Sequence, residues 1–197
     1  MTAEAPRAAP ARAAELDDLT LRRAQGGDPT AFRALVERYQ RPIWELCWRM
    51  VAPVGLGHRA DDLTQDTFVR VYRALPTFEP HGPARLSTWI LTIASRLALN
   101  ELRRGRTAPL DDDDLAALPA PPPRLPLDAA RTGERIAAAV GRLPATSRAV
   151  LILRDVLELE YDEIARVLAL ELGTVKSRLS RARATVRAWL AAEGVAP

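Results

Sequence analysis

Residues 161–190 read YDEIARVLALELGTVKSRLSRARATVRAWL. From Tyr161 to Ala169 apolar residues recur at helical spacing. Leu170, Glu171 and Leu172 then interrupt the pattern, and a second helical run begins near Gly173. A short helix, a turn of three to four residues and a longer helix make a helix-turn-helix. At 100° per residue, Val175, Leu179, Ala182, Val186 and Trp189 or Leu190 fall on one stripe. The remaining surface carries Lys176, Ser177, Arg178, Ser180, Arg181, Arg183 and Arg187, with five basic residues and no acid between Lys176 and Arg187.

Such a helix has three readings. It is a solvated basic surface, a helix lying on a membrane, or a recognition helix in a DNA major groove. Membrane-surface helices present a wide face of bulky apolar residues; here the stripe is narrow, with alanine at its centre. The major groove admits an α-helix, and Arg, Lys and Ser bond to base edges and phosphates. The short helix and turn ahead of the run favour the third reading.

Working towards the N-terminus, TGERIAAAVGRL is expected as a helix ended by Pro144, followed by TSRAVLILRDVLEL as another. Residues 107–130 differ in kind. Six of the 24 are proline, five are acidic and one is basic. That composition predicts a linker rather than a core. Ahead of it, helical spacing predicts a helix near Leu16–Gln25 ended by Gly26-Gly27. Next comes a long helix capped by Asp28 with Pro29 at its first position, bearing Phe32, Leu35, Val36, Tyr39, Ile43, Leu46 and Met50 and running to about Val51. Pro42 is expected to kink or break it. DDLTQDTFVRVYRAL opens at Asp61 or Asp62, places Leu63, Phe68, Val71, Tyr72 and Leu75 on one side, and stops at Pro76. PTFEPHGPARLS is a loop. From Ser87, STWILTIASRLALNELRRGR is a helix with Trp89, Ile90, Ile93, Leu97 and Leu102 buried.

The expected fold is all-α: two small helical domains, residues 15–106 and 131–192, joined by the Pro-rich acidic linker 107–130 and preceded by a disordered tail, residues 1–14. The apolar content leans on Ala and Leu, aromatic content is only 5%, and Ala, Leu, Arg and Glu are strong helix formers, which suits helices. The net charge is +3 but the pI is about 9.6, which permits nucleic-acid binding. Cys47 is the single cysteine; it has no partner for a disulfide or zinc site and is expected as a buried thiol. His58 and His81 are expected in surface loops. No signal peptide or membrane span is apparent, so a reduced, cytoplasmic, soluble protein is expected.

Three segments together resemble one family. LPATSRAVLILRDVLELEYDEIARVLALELGTVKSRLSRARATVRAWL is similar to region 4 of bacterial sigma factors of the extracytoplasmic-function (ECF) group of the sigma-70 family. DDLTQDTFVRVYRAL resembles that group's core-binding region 2 helix, and STWILTIASRLALNELRR its helix for melting and reading the −10 element. The resemblance covers about residues 16–190. Its motifs come in the family's order, and there is no room for an N-terminal autoinhibitory region or a region 3 domain, as in the ECF group.

The resemblance implies a factor with no catalytic residues, cofactor or metal. It would bind core RNA polymerase, through the clamp of the largest subunit and the flap of the second-largest, and direct it to promoter DNA. An anti-sigma partner is expected. Polymerase contact would fall to Asp62, Leu63, Gln65, Asp66, Phe68 and Arg70. The −10 element would meet Phe78, Arg85, Leu86, Ser87 and Thr88, lining the region that grips an extruded base, with Arg96, Asn100, Arg103 and Arg104 on the following helix; Trp89 anchors the core beneath. The −35 element would meet Lys176, Ser177, Arg178, Ser180 and Arg181, with Arg148 and Arg154 touching phosphates. Asp111–Asp114 would mimic the charge of nascent RNA, against the alternative of a flexible acidic tether; a metal site there lacks fixed geometry.

Departures from the family pattern are specific. The family often has Asn-Leu-Ala-x-Asp where this chain reads Arg96-Leu97-Ala98-Leu99-Asn100. Glycine is common in two turns occupied here by Glu158 and Ala169. The recognition-helix cap is Glu171, a poor cap side chain whose charge nonetheless suits the helix dipole. Two other classes compete: a stand-alone helix-turn-helix regulator and a helical scaffold that binds no DNA.

Overall fold

The computed structural model describes residues 15–104 and 129–194, and every regular element among them is helical. The tail 1–14 and the run Asp111–Asp114 lie outside the described residues. Eight α-helices follow in order: α1 Asp18–Gln25, α2 Pro29–Val51, α3 Ala60–Ala74, α4 Leu86–Arg104, α5 Ala129–Gly141, α6 Ala145–Asp155, α7 Tyr161–Leu168 and α8 Leu172–Ala192. Three short 3₁₀ turns, Ala52–Val54, Gly57–Arg59 and Leu75–Thr77, join α2 to α3 and close α3.

Local chemistry sets the helix ends. Asp17 caps α1 by accepting from Thr20 N at 2.9 Å. Asp28 caps α2 by accepting from the amides of Thr30 and Ala31 at 2.8 and 3.2 Å. The Arg23 guanidinium, followed by those amides, holds the Asp28 carboxyl below the usual carboxylate range. Gly26 ends α1, and Gly27 has φ +87°. Pro144 is the N-cap of α6. Pro42 does not break α2. A proline costs the helix one backbone bond, yet Tyr39, Ile43, Leu46 and Met50 continue one fully buried stripe across it. That burial, worth about 1.5–3 kcal/mol per large apolar side chain, outweighs the lost bond.

α2 and α4 form the centre of the N-terminal group, with α3 packed on both and α1 on α2. The C-terminal group stacks α5, α6 and α7 around α8. The two groups are not separate globules. One cluster of buried side chains runs from Leu16, through α2 and α4, to Ala182. α4 packs on α7, α2 on α6, and α5 on the turn after α2.

Two details fix this seam. Gly141, the last residue of α5, lies so close to Pro53 that a β-carbon would approach the Pro53 Cβ at 2.7 Å and its carbonyl oxygen at 2.8 Å. Arg148 is 2% exposed. Its guanidinium donates to the carbonyls of Val140, Gly141 and Leu143 in its own group and to Met50 O of α2 at 2.5 Å.

Cys47 is buried, and burial pushes its thiol up to about 12. Its neighbours Trp44 and Trp48 stack with centroids 5.4 Å apart. His58 and His81 are exposed, as expected. Tyr72 departs from the expected apolar side of α3: it is 55% exposed and meets Phe32 edge-on at 5.0 Å.

Candidate nucleic-acid interface

α7 and α8 form the helix-turn-helix. Glu160 and Glu163 make a reciprocal capping box at the start of α7. Leu170 N returns to Ala165 O at 2.9 Å, closing its last turn. Between these bonds Ala169 is forced to φ 54°, ψ 48°. Glu158, ahead of α7, has φ 53°. These are the two non-glycine residues of positive φ among those described, and they stand at the two turns where glycine was expected. Glu171 has the extended backbone of an N-cap but makes no side-chain cap bond, in keeping with its poor capping chemistry.

α8 buries Val175, Leu179 and Ala182, and Val186 packs against the same core. Lys176, Ser177, Ser180 and Arg181 are exposed and Arg178 is half-buried. Lys176 Nζ stands 5.9 Å from the centroid of the Tyr161 ring. Arg181 lies back along the helix, with Nε 3.4 Å from Ser177 O. Arg183 is tied to Asp155 of α6, and that carboxylate raises its pKa. Thus the first three turns of α8 expose Lys176 and Arg181, with Arg178 half-buried between them, while its later part is locked to α6.

Two of the −35 expectations change in role. Arg148 is not on the surface: its guanidinium donates to four backbone carbonyls. It joins the two helical groups and is not placed to touch phosphate in this arrangement. Arg154 is half-buried, bonded to Leu159 O at 2.8 Å, paired with Glu160 at 3.2 Å and stacked on Tyr161 at 5.0 Å. It braces the turn before α7.

The second basic surface is on α4. Arg96, Asn100, Arg103 and Arg104 are exposed. The one acid among them, Glu101, is held by Arg59 Nε at 2.8 Å, and this bond raises the Arg59 pKa. The loop before α4 places Phe78 against Trp89, ring centroids 5.0 Å apart, and leaves Arg85 exposed and Ser87 half-buried. Leu86 and Thr88 are buried, at 4% and 3% exposure; they point to the core and support the loop instead of lining its surface. Trp89 is half-buried and packs against the core.

On α3, Asp62, Gln65, Asp66 and Arg70 are exposed. Leu63 and Phe68, expected with them, are core residues at 3% and 9% exposure. Helical phase separates the two sets.

Sequence reasoning missed the residues that brace the loop before α4 and its first turn from a distance. Gln25, at the end of α1, donates to Leu75 O and Phe78 O at 3.0 and 2.7 Å. Glu15 accepts from Ser87, 72 residues away. Arg166 of α7 donates to Pro83 O at 2.9 Å. No local pattern marks such pairings, since the acceptors at Leu75, Phe78 and Pro83 are backbone carbonyls and each partner lies 50 or more residues away.

A helix-turn-helix with a basic face, and a second arginine-bearing helix on the same core, define a helical protein of the DNA-binding helix-turn-helix class with two separate basic surfaces. The model of Sigma-70 region 2 matches residues 35–107, and that of Sigma-70 region 4 matches residues 133–186. The chain is 30% identical over 181 residues to the ECF RNA polymerase sigma factor SigW of Bacillus subtilis, covering 86% of this chain and 94% of that one. It is 32% identical over 181 residues to the ECF RNA polymerase sigma-E factor of Escherichia coli K12, covering 86% and 92%. It is 35% identical over 162 residues to ECF sigma factor SigE of Mycolicibacterium smegmatis, spanning 80% of this chain but only 60% of that protein. Among solved structures, CnrH in complex with the cytosolic domain of CnrY superposes with TM-score 0.66 at 28% identity, over 89% of this chain and 97% of that one. The chain belongs to the ECF group of the sigma-70 family of RNA polymerase sigma factors.

Proposed function

We propose that this sigma factor engages core RNA polymerase through the exposed face of α3, reads the −10 element with the loop 78–85 and α4, and reads the −35 element with α8. The observation that carries this reading is the division of α8: an apolar stripe locked into the core, and a basic face over its first turns left open beside a short turn. Such a helix suits the major groove. α4 supplies Arg96, Arg103 and Arg104 for phosphates, so binding should weaken steeply with salt. Asp62, Gln65, Asp66 and Arg70 offer hydrogen-bonding charge that gives docking its orientation and specificity. The factor catalyses nothing itself and works in the cytoplasm, where polymerase is. The solved relatives CnrH, with the cytosolic domain of CnrY, and RpoE, with the anti-sigma factor NepR, support an anti-sigma partner here as well.

Dual reading requires the two helical groups to part. Elements centred near −10 and −35 lie about 25 base pairs apart, roughly 85 Å along the duplex. A compact body of this size has a radius of gyration of about 16 Å, and here α7 lies against α4 with Arg166 on the −10 loop. The 24 residues 105–128 reach at most about 80 Å when extended, which together with the widths of the two groups covers the distance.

The test is run-off transcription by purified core polymerase with this factor, on a template carrying its mapped promoter. Lys176→Ala with Arg181→Ala removes two groups, each worth about 1–3 kcal/mol when it meets a base edge. Promoter-dependent transcript should fall at least tenfold while core binding persists. Unchanged transcription would reject α8 as the −35 reader. A factor that neither binds core nor redirects transcription would reject the whole reading in favour of a stand-alone regulator or a scaffold.

A further inference from the structure

The Glu15 carboxylate is seated on the first turn of α4. Its Oε2 accepts from Ser87 N at 3.3 Å and from the Tyr39 hydroxyl at 3.2 Å, while Oε1 accepts from the Ser87 hydroxyl. Tyr39 is 2% exposed, and its oxygen accepts from Leu16 N at 3.2 Å. The phenol is therefore fixed from both sides and holds the carboxylate in place. Ser87 N belongs to the first turn of α4, where backbone donors have no helical acceptor, and a negative charge there is favoured by the helix dipole. The segment before α1 thus supplies a cap to a helix 72 residues later.

This arrangement fixes the polarity of Ser87. A serine hydroxyl has one proton and two lone pairs. The proton is directed to Glu15, so the half-buried oxygen can offer only lone pairs to anything approaching the loop. The carboxylate beside it adds negative potential. A base edge arriving at Ser87 is favoured if it brings a donor, and disfavoured if it brings a carbonyl.

We propose that Glu15 is a specificity-determining positioning residue: by taking the Ser87 proton it makes the −10 loop select an extruded base that presents an amino group where thymine carries its 4-carbonyl, as cytosine does at N4 and adenine at N6, over thymine. The inference rests on the reading of loop 78–85 and the first turn of α4 as the −10 surface. Glu15 does not touch the base. It acts through Ser87, and a glutamine in its place removes the charge and can donate as well as accept, which frees the hydroxyl to turn.

The experiment uses full-length factor with core polymerase and a set of promoter templates that differ only at the extruded −10 position. Competition binding and open-complex yield are read for A, C and T. One net hydrogen bond corresponds to about 2–12-fold. The wild type should prefer A or C to T by about fivefold or more. Glu15→Gln and Ser87→Ala should each bring the ratio within about twofold, and the double variant should match the single ones. Binding of a −35 duplex should be unchanged, and Glu15→Asp should restore part of the preference. Unaltered preference in Glu15→Gln, a wild type that favours T, or additive effects of the two substitutions would overturn the proposal. A Glu15→Gln protein that only melts earlier, with discrimination intact, would reduce Glu15 to a structural cap and overturn it too. A wild type that fails to bind core polymerase at all would instead reject the sigma-factor reading beneath it.

Discussion

Ala169 ends α7 in the left-handed region, at φ 54° and ψ 48°. For a residue with a β-carbon this conformation costs about 1–2 kcal/mol relative to the right-handed one. Glycine escapes that cost but loses about 0.5–1 kcal/mol more backbone entropy on folding. Ala169 is exposed, so its methyl contributes no core packing that would be forfeited. The balance for Ala169→Gly is a gain of about 0.5–1 kcal/mol. In a cooperative unit of this size, 1 kcal/mol moves Tm by about 2–4 °C, so the melting temperature should rise by about 1–4 °C. One core runs through both helical groups, so the gain should appear in a single transition. Circular dichroism at 222 nm with heating and with urea measures it. Because the turn already has the geometry glycine prefers, −35 duplex affinity should stay within about twofold. Ala169→Val must move the other way, since a branched side chain suits this region still less. A Tm for Ala169→Gly that falls or stays put would refute the assignment of strain to this turn.

Two further outcomes are expected. Gly141→Ala inserts a methyl where Pro53 already stands at 2.7 Å; overpacking of about 1–3 kcal/mol falls on the seam and should raise the radius of gyration in solution scattering while helix content is retained. An identical scattering profile would show that the seam yields without opening. Cys47, its thiol pushed up to about 12 by burial, should resist iodoacetamide at pH 8 until the protein unfolds. Above pH about 9 the unfolded chain ionises this thiol while the folded chain does not, so stability declines as pH rises towards 12; native labelling at the rate of a free thiol would contradict the burial.

Much of this fold is legible along the chain because helices are set by near neighbours. Asp28 and Pro29 start α2, Pro144 separates α5 from α6, and the 3.6-residue spacing of Val175, Leu179 and Ala182 sorts α8 into inner and outer faces. The same spacing separates exposed Asp62, Gln65, Asp66 and Arg70 from buried Leu63 and Phe68. Where residue type alone was followed, it misled. Arg148 carries the charge of a phosphate ligand, yet it is buried because four carbonyls converge on it. Leu86 and Thr88 adjoin a loop but face the core.

What the sequence by itself determined is the set of helices, the Asp28 cap of α2, the helix-turn-helix and the basic faces, since each depends on residues within a turn or two of one another. The two turns at Glu158 and Ala169 could also be located from it, though their left-handed backbone became evident only with the bonds that close them. The tertiary structure alone decided the rest: that both helical groups share one core, that Arg148 and Gly141 hold the seam, and that Glu15, Gln25 and Arg166 brace the loop before α4 and its first turn. Those contacts join residues 50 to 98 positions apart. Burying Arg148 or orienting Ser87 depends on which surfaces meet in space, and helical periodicity carries no information about that.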